Sequence, residues 1–210
     1  MFGTLLGFVV LIAIYWLRLD DPTINHEIKV ISNNKVVEEY LGRYKEVIGE
    51  DYEGYRNHIY RVLTYSMHYM GDKQEALPLV AIALVYHDIG LWTAGRLNYL
   101  EPGIDLLTKE CTPKYSPLEV ELMNDIIDFH HKVTPYVGNN ADIINAVRKA
   151  DWIDATLTIV NHGMSQENTK LVRNALPNAG FHKTLANFGP KLHGFDVVRI
   201  VKDLSKIMKL

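Results

Sequence analysis

A chain of 210 residues is long enough to bury a sizeable hydrophobic core, so we expect one domain of ordinary size. Its single cysteine, Cys111, excludes an intramolecular disulfide and a cysteine-based zinc site, so any metal must be held by His, Asp and Glu. The 22 basic and 25 acidic residues give a formal net charge of −3, and Lys and Arg form no dense stripe, which argues against polymeric nucleic acid as a partner.

The first segment, residues 2–17, reads FGTLLGFVVLIAIYWL and carries no charge. It is short for a membrane span, which needs about 20 apolar residues and at least about 17. A signal peptide is an alternative, but the segment lacks a basic n-region and a small-x-small cleavage site. A buried core helix in a soluble cytoplasmic protein is another. We expect residues 1–19 to form a membrane anchor, and because Arg18, Lys29 and Lys35 follow the apolar run, the positive-inside bias places the remainder in the cytoplasm.

The rest of the chain has helical rather than strand periodicity, so we predict an all-α class. Residues 20–32 are interpreted as a linker, and residues 33–210 as one helical domain. Ser116, Pro117 and Glu119 form a strong helix start, with serine at the N-cap and glutamate three residues later. Helices are predicted at 33–49, 53–70, from about Pro78 to His87 and Asp88, 104–110, from 117 to about 130, 141–160, 168–176, 183–188 and 195–210.

The stretch Leu84–Gly90 reads LVYHDIG and places an imidazole and a carboxylate at the end of an apolar run. A run without charge from Leu79 to Val85 predicts burial, and a buried carboxylate is costly unless it is neutralised or bound to a cation. Two interpretations remain at this point: a divalent metal site, or a buried pair of His87 and Asp88 that stabilises a helix end.

Other helices carry further candidate ligands. His58 lies in the inward-facing sector of its helix with Arg61 one turn on, although a lone inward histidine is more often a hydrogen-bonded core residue. His130 and His131 end an apolar helix face, where the alternative is an interaction with the helix dipole. Asp151 lies on an apolar stripe and needs a partner. Asp154 lies one turn later. It is either not part of the metal site or a group that contacts one of the ligands without binding the ion.

These segments resemble the HD superfamily of metal-dependent phosphohydrolases over about residues 52–160. The sequence HIYRV at 58–62 is similar to the family's H-x-x-R-V, LVYHDIG at 84–90 to its apolar-HD-I-G, and KAD at 149–151 to its A-D. The resemblance implies that one divalent ion is held by His58, His87, Asp88 and Asp151. It also implies that Asp88 bridges to a second ion where the family has one.

Two-metal relatives take further histidines from the segment between the HD pair and the last aspartate. Here no histidine occurs from Ile89 to Phe129, so the resemblance favours one ion. His130 or His131 is then either a ligand to a second ion or a proton-transfer and phosphate-contact group. The ion itself is left open among Mn, Co, Mg, Ni, Fe and Zn.

The activity implied is metal-assisted hydrolysis of a nucleotide or another small phosphoester. Asp88, His130 and Arg61 are the expected catalytic residues, and Arg61, Arg96 and Lys132 the expected contacts to the phosphate. Relatives of this fold also include di-iron oxygenases and a zinc hydratase of small nitrile-like substrates, so both remain alternatives. A non-catalytic, membrane-anchored regulator or ligand-binding protein is a third.

Overall fold

The computed structural model describes residues 26–71, 73–193 and 196–209. The predicted membrane anchor at residues 1–19 lies outside the described residues. Helices and turns make up the described chain and no strand occurs in it, which confirms the all-α class. The helices are α1 (Lys35–Gly42), α2 (Lys45–Ile48), α3 (Tyr52–Met70), α4 (Leu77–Tyr86), α5 (Gly90–Thr93), α6 (Leu100–Cys111), α7 (Pro117–Phe129), α8 (Ala141–Ala155), α9 (Gln166–Ala175), α10 (Phe181–His193) and α11 (Val197–Ile207), with 3-10 turns at Gly49–Asp51 and Gln74–Ala76.

The long helix α3 lies at the centre of the fold and packs along α8. On its other side α4 packs against α3, α7 and α1, and α6 covers α7. Every residue of α4 from Val80 to Tyr86 is buried, as expected for a helix that is apolar on all sides. Helices α3, α4, α7 and α8 therefore form one packed group in the interior.

The apolar stretch around α4 is long enough to cross a membrane by length and composition alone. It runs over Gln74–Thr93, but 72% of its most apolar window is buried inside the fold. Burial of that extent by the chain's own helices is typical of a core helix. Among the residues that the structure describes, the one candidate span is thus internal.

The structure confirms the predicted helix start at Ser116, and α1 begins within two residues of its predicted start. The Ser116 hydroxyl accepts a hydrogen bond from the Glu119 amide while the Glu119 carboxylate accepts one from the Ser116 amide, which completes a capping box. The Asn34 side chain accepts from the amides of Val36 and Val37 and so begins α1.

Several predicted helix lengths are wrong. The predicted helix 141–160 ends at Ala155, because Leu157 and Thr158 adopt left-handed backbone angles with φ of 54° and 71°. The predicted helix 33–49 divides into α1 and α2. Helix α6 begins at Leu100, four residues earlier than predicted, because a proline is tolerated in the first turn of a helix.

The described end of the predicted linker, residues 26–32, is not helical and lies on the domain. The Ile28 amide donates to the side chain of Asn168 on α9, and the Ile31 amide donates to the Thr64 hydroxyl on α3. Ile28 itself is buried. Residues 26–32 are therefore held by α3 and α9, whereas the boundary between anchor, linker and domain stays a prediction.

Candidate metal centre

Four predicted ligands from three separate parts of the chain meet in the interior. His58 comes from α3, His87 and Asp88 from the turn after α4, and Asp151 from α8. The Nε2 atom of His58 lies 2.9 Å from Nε2 of His87, 3.5 Å from Oδ2 of Asp88 and 3.5 Å from Oδ1 of Asp151. None of the four residues is more than 2% exposed. The structure thus brings together the whole ligand set that the resemblance implies.

Backbone and side-chain oxygens set the orientation of three histidines. Nδ1 of His87 lies 2.6 Å from the Leu84 carbonyl, and Nδ1 of His130 lies 2.7 Å from the Ile127 carbonyl. A carbonyl oxygen can only accept, so each Nδ1 carries the proton and leaves the Nε2 lone pair exposed to the centre. Nδ1 of His58 makes the equivalent contact, at 2.6 Å, with a carboxylate of Asp154. Metal-binding histidines are oriented by such contacts.

The contact between His58 and His87 needs a positive charge between the two rings. When Nδ1 holds the proton in both neutral imidazoles, two lone pairs face each other across 2.9 Å. Such a contact is repulsive unless a proton is shared or a cation is bound. A cation at this place would meet both lone pairs and the two nearby carboxylates.

A second group of ligand atoms shares Asp88 with the first. The Oδ1 atom of Asp88 lies 3.6 Å from Nε2 of His130 and 4.0 Å from Nε2 of His131. Two groups among the described residues have ligand atoms close enough for one ion, namely His58, His87 and Asp88, and Asp88, His130 and His131. Each oxygen of Asp88 therefore faces a different group of histidines.

Several buried polar atoms at the centre lack a hydrogen-bond partner. They include Oδ1 of Asp88, Oδ1 of Asp151 and Nε2 of His130. Buried acceptors without a donor are rare in folded proteins and call for an ion or a bound molecule. All three atoms are ligand types that a divalent cation accepts. The residues present fit a divalent metal ion on this count as well.

The charges of the centre also favour a cation. Burial would raise the pKa of Asp88 and of Asp151, but the surrounding imidazoles hold both below the usual value for a carboxyl. Burial lowers the pKa of His87 to about 4, so this imidazole is neutral. Burial would lower the pKa of His58 too, but hydrogen bonds to Asp154 and Asp88 raise it to about 9. Without a metal, His58 therefore carries the positive charge that the two carboxylates require.

Arg61 and Asp154 form a buried pair behind the first ligand. The guanidinium donates from Nε to Oδ1 of Asp154 at 2.6 Å and from Nη2 to Oδ2 at 2.8 Å. Its Nη1 donates to the carbonyls of Leu176 and Pro177, both at 3.1 Å. Arg61 is 2% exposed. This geometry favours the interpretation in which Asp154 orients the ligand His58 and does not bind the ion itself. The guanidinium of Arg61 is directed toward the Asp154 carboxylate.

Two aromatic side chains, Phe181 and Tyr55, pack against the parts of the chain that carry the ligands. The ring of Phe181, the first residue of α10, stacks on His58 with centroids 4.1 Å apart. The Tyr55 hydroxyl accepts from the Asp88 amide and donates to the Val85 carbonyl, so it holds the turn that carries the HD pair. These contacts exclude water from the ring faces and fix the ligands before any ion binds.

The two remaining predicted phosphate contacts lie at the surface. Arg96 is exposed and its Nη2 lies 3.8 Å from Oε2 of Glu101. Lys132 follows directly after His131, and its Nζ donates to the Thr134 hydroxyl. Both have the charge for a phosphate, and their contact with one stays a prediction.

Sequence reasoning missed Tyr99 and Phe181 as parts of the centre. The Tyr99 hydroxyl lies 2.5 Å from Nε2 of His131, across a turn and a short helix from the HD pair. Phe181 belongs to a helix outside the motif-bearing region. No spacing in the sequence links either residue to a ligand, although each is a large aromatic side chain beside a glycine or a turn.

No protein-family model matches the chain, and no curated protein or solved structure matches it. The structure itself establishes a helical chain in which buried histidine and aspartate side chains could hold a metal ion. That arrangement is compatible with an HD-type fold.

Proposed function

We propose that this chain is a metal-dependent phosphohydrolase of the HD type, acting on a nucleotide or another small phosphoester. The observation that carries the proposal is the convergence of His58, His87, Asp88 and Asp151 with their free ligand atoms directed inward. A buried His–Asp pair that only stabilises a helix end would not need two further ligands from α3 and α8. It would also not leave carboxylate oxygens without donors.

The proposed ligands of one ion are His58, His87, Asp88 and Asp151. Two neutral imidazoles and two carboxylates balance the charge of a dication and leave coordination positions open for a water and a phosphate oxygen. When bound, the ion would lower the pKa of a water and polarise the phosphoryl group.

The chain's own residues would position and move protons. His130 has its Nδ1–H bonded to a backbone carbonyl, and its Nε2 lies 3.6 Å from Oδ1 of Asp88 without a hydrogen-bond partner. That nitrogen is therefore free to accept a proton beside the site of attack. Arg61 would act as a positioning residue, because its guanidinium donates its hydrogen bonds to Asp154 and to two backbone carbonyls. Lys132 and Arg96 are the proposed phosphate contacts.

A di-iron oxygenase is the second candidate, and one observation favours it. Both oxygens of Asp88 face histidines, Oδ2 toward His58 and His87 and Oδ1 toward His130 and His131. A carboxylate between two groups of histidines is suited to bridging two ions. Oxygen consumption with two irons per chain, and no phosphate release, would establish this candidate instead.

The deciding experiment uses protein purified without chelators. Its metal content is measured, and the protein is then loaded with Mn²⁺, Co²⁺, Mg²⁺ or Ni²⁺ and assayed for phosphate or nucleoside release from a panel of nucleotides. We expect release by the wild type and none without metal. Asp88→Asn keeps the shape of the side chain but removes its charge, so metal affinity should fall sharply and hydrolysis further still.

The matched control is Asp105→Asn, which makes the same change at an exposed position of α6. It should leave both metal affinity and hydrolysis unchanged. Full activity in Asp88→Asn would show that His87 and Asp88 are a structural pair and would contradict the proposal.

We also propose that residues 1–19 anchor the protein in a membrane with the domain in the cytoplasm. The support is the uncharged run of residues 2–17 and the lysines and arginine that follow it. The apolar stretch Gln74–Thr93 of the described domain is mostly buried as a core helix.

A further inference from the structure

His131 is bonded differently from the three other histidines of the centre. His58, His87 and His130 each direct Nδ1 to an oxygen behind the ring and keep Nε2 for the centre. His131 instead has its Nε2 2.5 Å from the Tyr99 hydroxyl and its Nδ1 3.1 Å from Oδ2 of Asp151. The Nε2 atom of His131 is therefore held by the Tyr99 hydroxyl, while its Nδ1 lies beside a carboxylate oxygen.

The direction of the hydrogen bond follows from the chemistry of the partners. A carboxylate accepts only, so in a neutral His131 the proton is favoured on Nδ1, beside Asp151. Nε2 then accepts from the Tyr99 hydroxyl, which is a donor at neutral pH because a phenol ionises only near pH 10. The lone pair that a metal ion would use is the one that Tyr99 occupies.

We propose that Tyr99 limits the centre to one metal ion by holding Nε2 of His131. The inference rests on the proposed metal centre. A second ion would be bound by Oδ1 of Asp88 with His130 and His131. With His131 engaged, two protein ligands remain, fewer than metal sites of this kind use. Tyr99 lies in the segment from Ile89 to Phe129 that has no histidine.

The backbone holds Tyr99 in this place. Tyr99 is 6% exposed, and its carbonyl packs against Gly90 of the HD motif so closely that a Cβ atom at residue 90 would lie 2.2 Å from that oxygen. The glycine is therefore needed for the approach of the Tyr99 segment to the turn that carries Asp88. This contact fixes the backbone of Tyr99, and burial of its side chain restricts movement of the hydroxyl away from His131.

The test is the metal stoichiometry of Tyr99→Phe. Wild-type and variant full-length proteins are equilibrated with Mn²⁺, freed of excess ion, and analysed for manganese per chain. We expect one ion in the wild type and two in the variant, whose spin-coupled Mn²⁺ pair is visible by electron paramagnetic resonance. Tyr52→Phe removes a hydroxyl from a half-buried tyrosine at the start of α3 and is the matched control, with one ion expected.

His131→Ala keeps the test decisive if the first variant does not fold. Because the inference leaves His131 out of the ligand set, the His131→Ala variant should still bind one ion, and loss of that ion would overturn the inference. Two ions in the wild type, or one ion in folded Tyr99→Phe, would overturn the inference. So would a phenolate-to-iron absorption band in the Fe³⁺-loaded wild type that Tyr99→Phe lacks, since it would make Tyr99 a ligand.

These outcomes are separate from those of the proposed function. Stoichiometry is measured without any substrate, so one ion in a protein that hydrolyses nothing would refute the phosphohydrolase and leave the inference standing. Two ions in an active wild type would do the reverse. A wild type that binds no ion at all would remove the centre on which both depend.

Discussion

Replacing Asp154 by alanine is expected to weaken both the fold and the metal centre. The carboxylate accepts two hydrogen bonds from Arg61, at 2.6 and 2.8 Å, and one from Nδ1 of His58 at 2.6 Å. All three residues are at most 4% exposed. Removing the carboxylate leaves a buried guanidinium without its counter-charge and an imidazole without its orienting acceptor.

The variant should lose both stability and metal affinity, and the two effects can be estimated separately. Removing one partner of a buried ion pair costs about 3–5 kcal/mol. For a domain of this length each kcal/mol lowers the unfolding midpoint by about 2–4 °C, so we expect a fall of about 6–20 °C. Loss of a group that orients a metal-binding histidine lowers metal affinity about 10–100-fold. Thermal unfolding of metal-free protein and titration calorimetry with Mn²⁺ measure the two effects separately.

A double variant separates the stability effect from the metal effect. In Arg61→Met with Asp154→Leu no buried charge is left unpaired, so much of the lost stability should return. Metal affinity should stay low, because His58 still lacks an acceptor for Nδ1. Asp105→Asn again serves as the exposed control. Metal affinity within twofold of wild type in folded Asp154→Ala would refute the role assigned to this carboxylate.

Three further predictions concern other parts of the molecule. The raised pKa of His58, about 9, stabilises the metal-free fold below pH 6.5, and this contribution should disappear as pH rises through 9; the loss is measured by denaturant unfolding and should be absent in His58→Gln. Gly90→Ala should displace the Tyr99 carbonyl and destabilise the fold, whereas Gly42→Ala, which meets no atom within 4 Å, should not; equal midpoints would contradict the close approach. Deletion of residues 1–19 should move the protein from the membrane fraction to the soluble fraction with metal binding intact, and a full-length chain that is soluble without detergent would argue against an anchor.

The start of α7 was predictable from the sequence, because neighbouring side chains cap it. Ser116 with Glu119 and Asn34 each carry a local signal, because the groups that bond are within a few residues of one another. The end of α8 carried no such signal. Leu157 and Thr158 take left-handed angles without a glycine, and the Thr156 hydroxyl meanwhile accepts from the Val160 amide. Neither residue type favours a left-handed angle, so no local sequence signal marks that boundary.

The ligands themselves were predictable because each lies on an apolar face where an unpaired polar group would be costly. That argument places His58, His87, Asp88 and Asp151 inside, and the structure confirms their burial. It says nothing about which buried groups touch. The contact of Tyr99 with His131 spans 32 residues and depends on how α5 and α6 turn, which no periodicity records.

The sequence of α8 alone does not tell which of Asp151 and Asp154 faces the centre. That depends on the residue of α3 that each carboxylate contacts. Residues three apart on a helix lie on nearly the same face, so both carboxylates of α8 are directed toward α3. His58 separates them, because an imidazole has two nitrogens on opposite edges. Its Nε2 lies 3.5 Å from Asp151 and its Nδ1 lies 2.6 Å from Asp154.

His58 can contact both Asp151 and Asp154 only if α3 and α8 pack along each other in one register. Arg61 supplies that register, since its guanidinium joins Asp154 on α8 to the carbonyls after α9. The H-x-x-R spacing on α3 therefore has a physical reason. Histidine and arginine, one turn apart on α3, both bind the Asp154 carboxylate, and this leaves Asp151 as the aspartate that faces the centre.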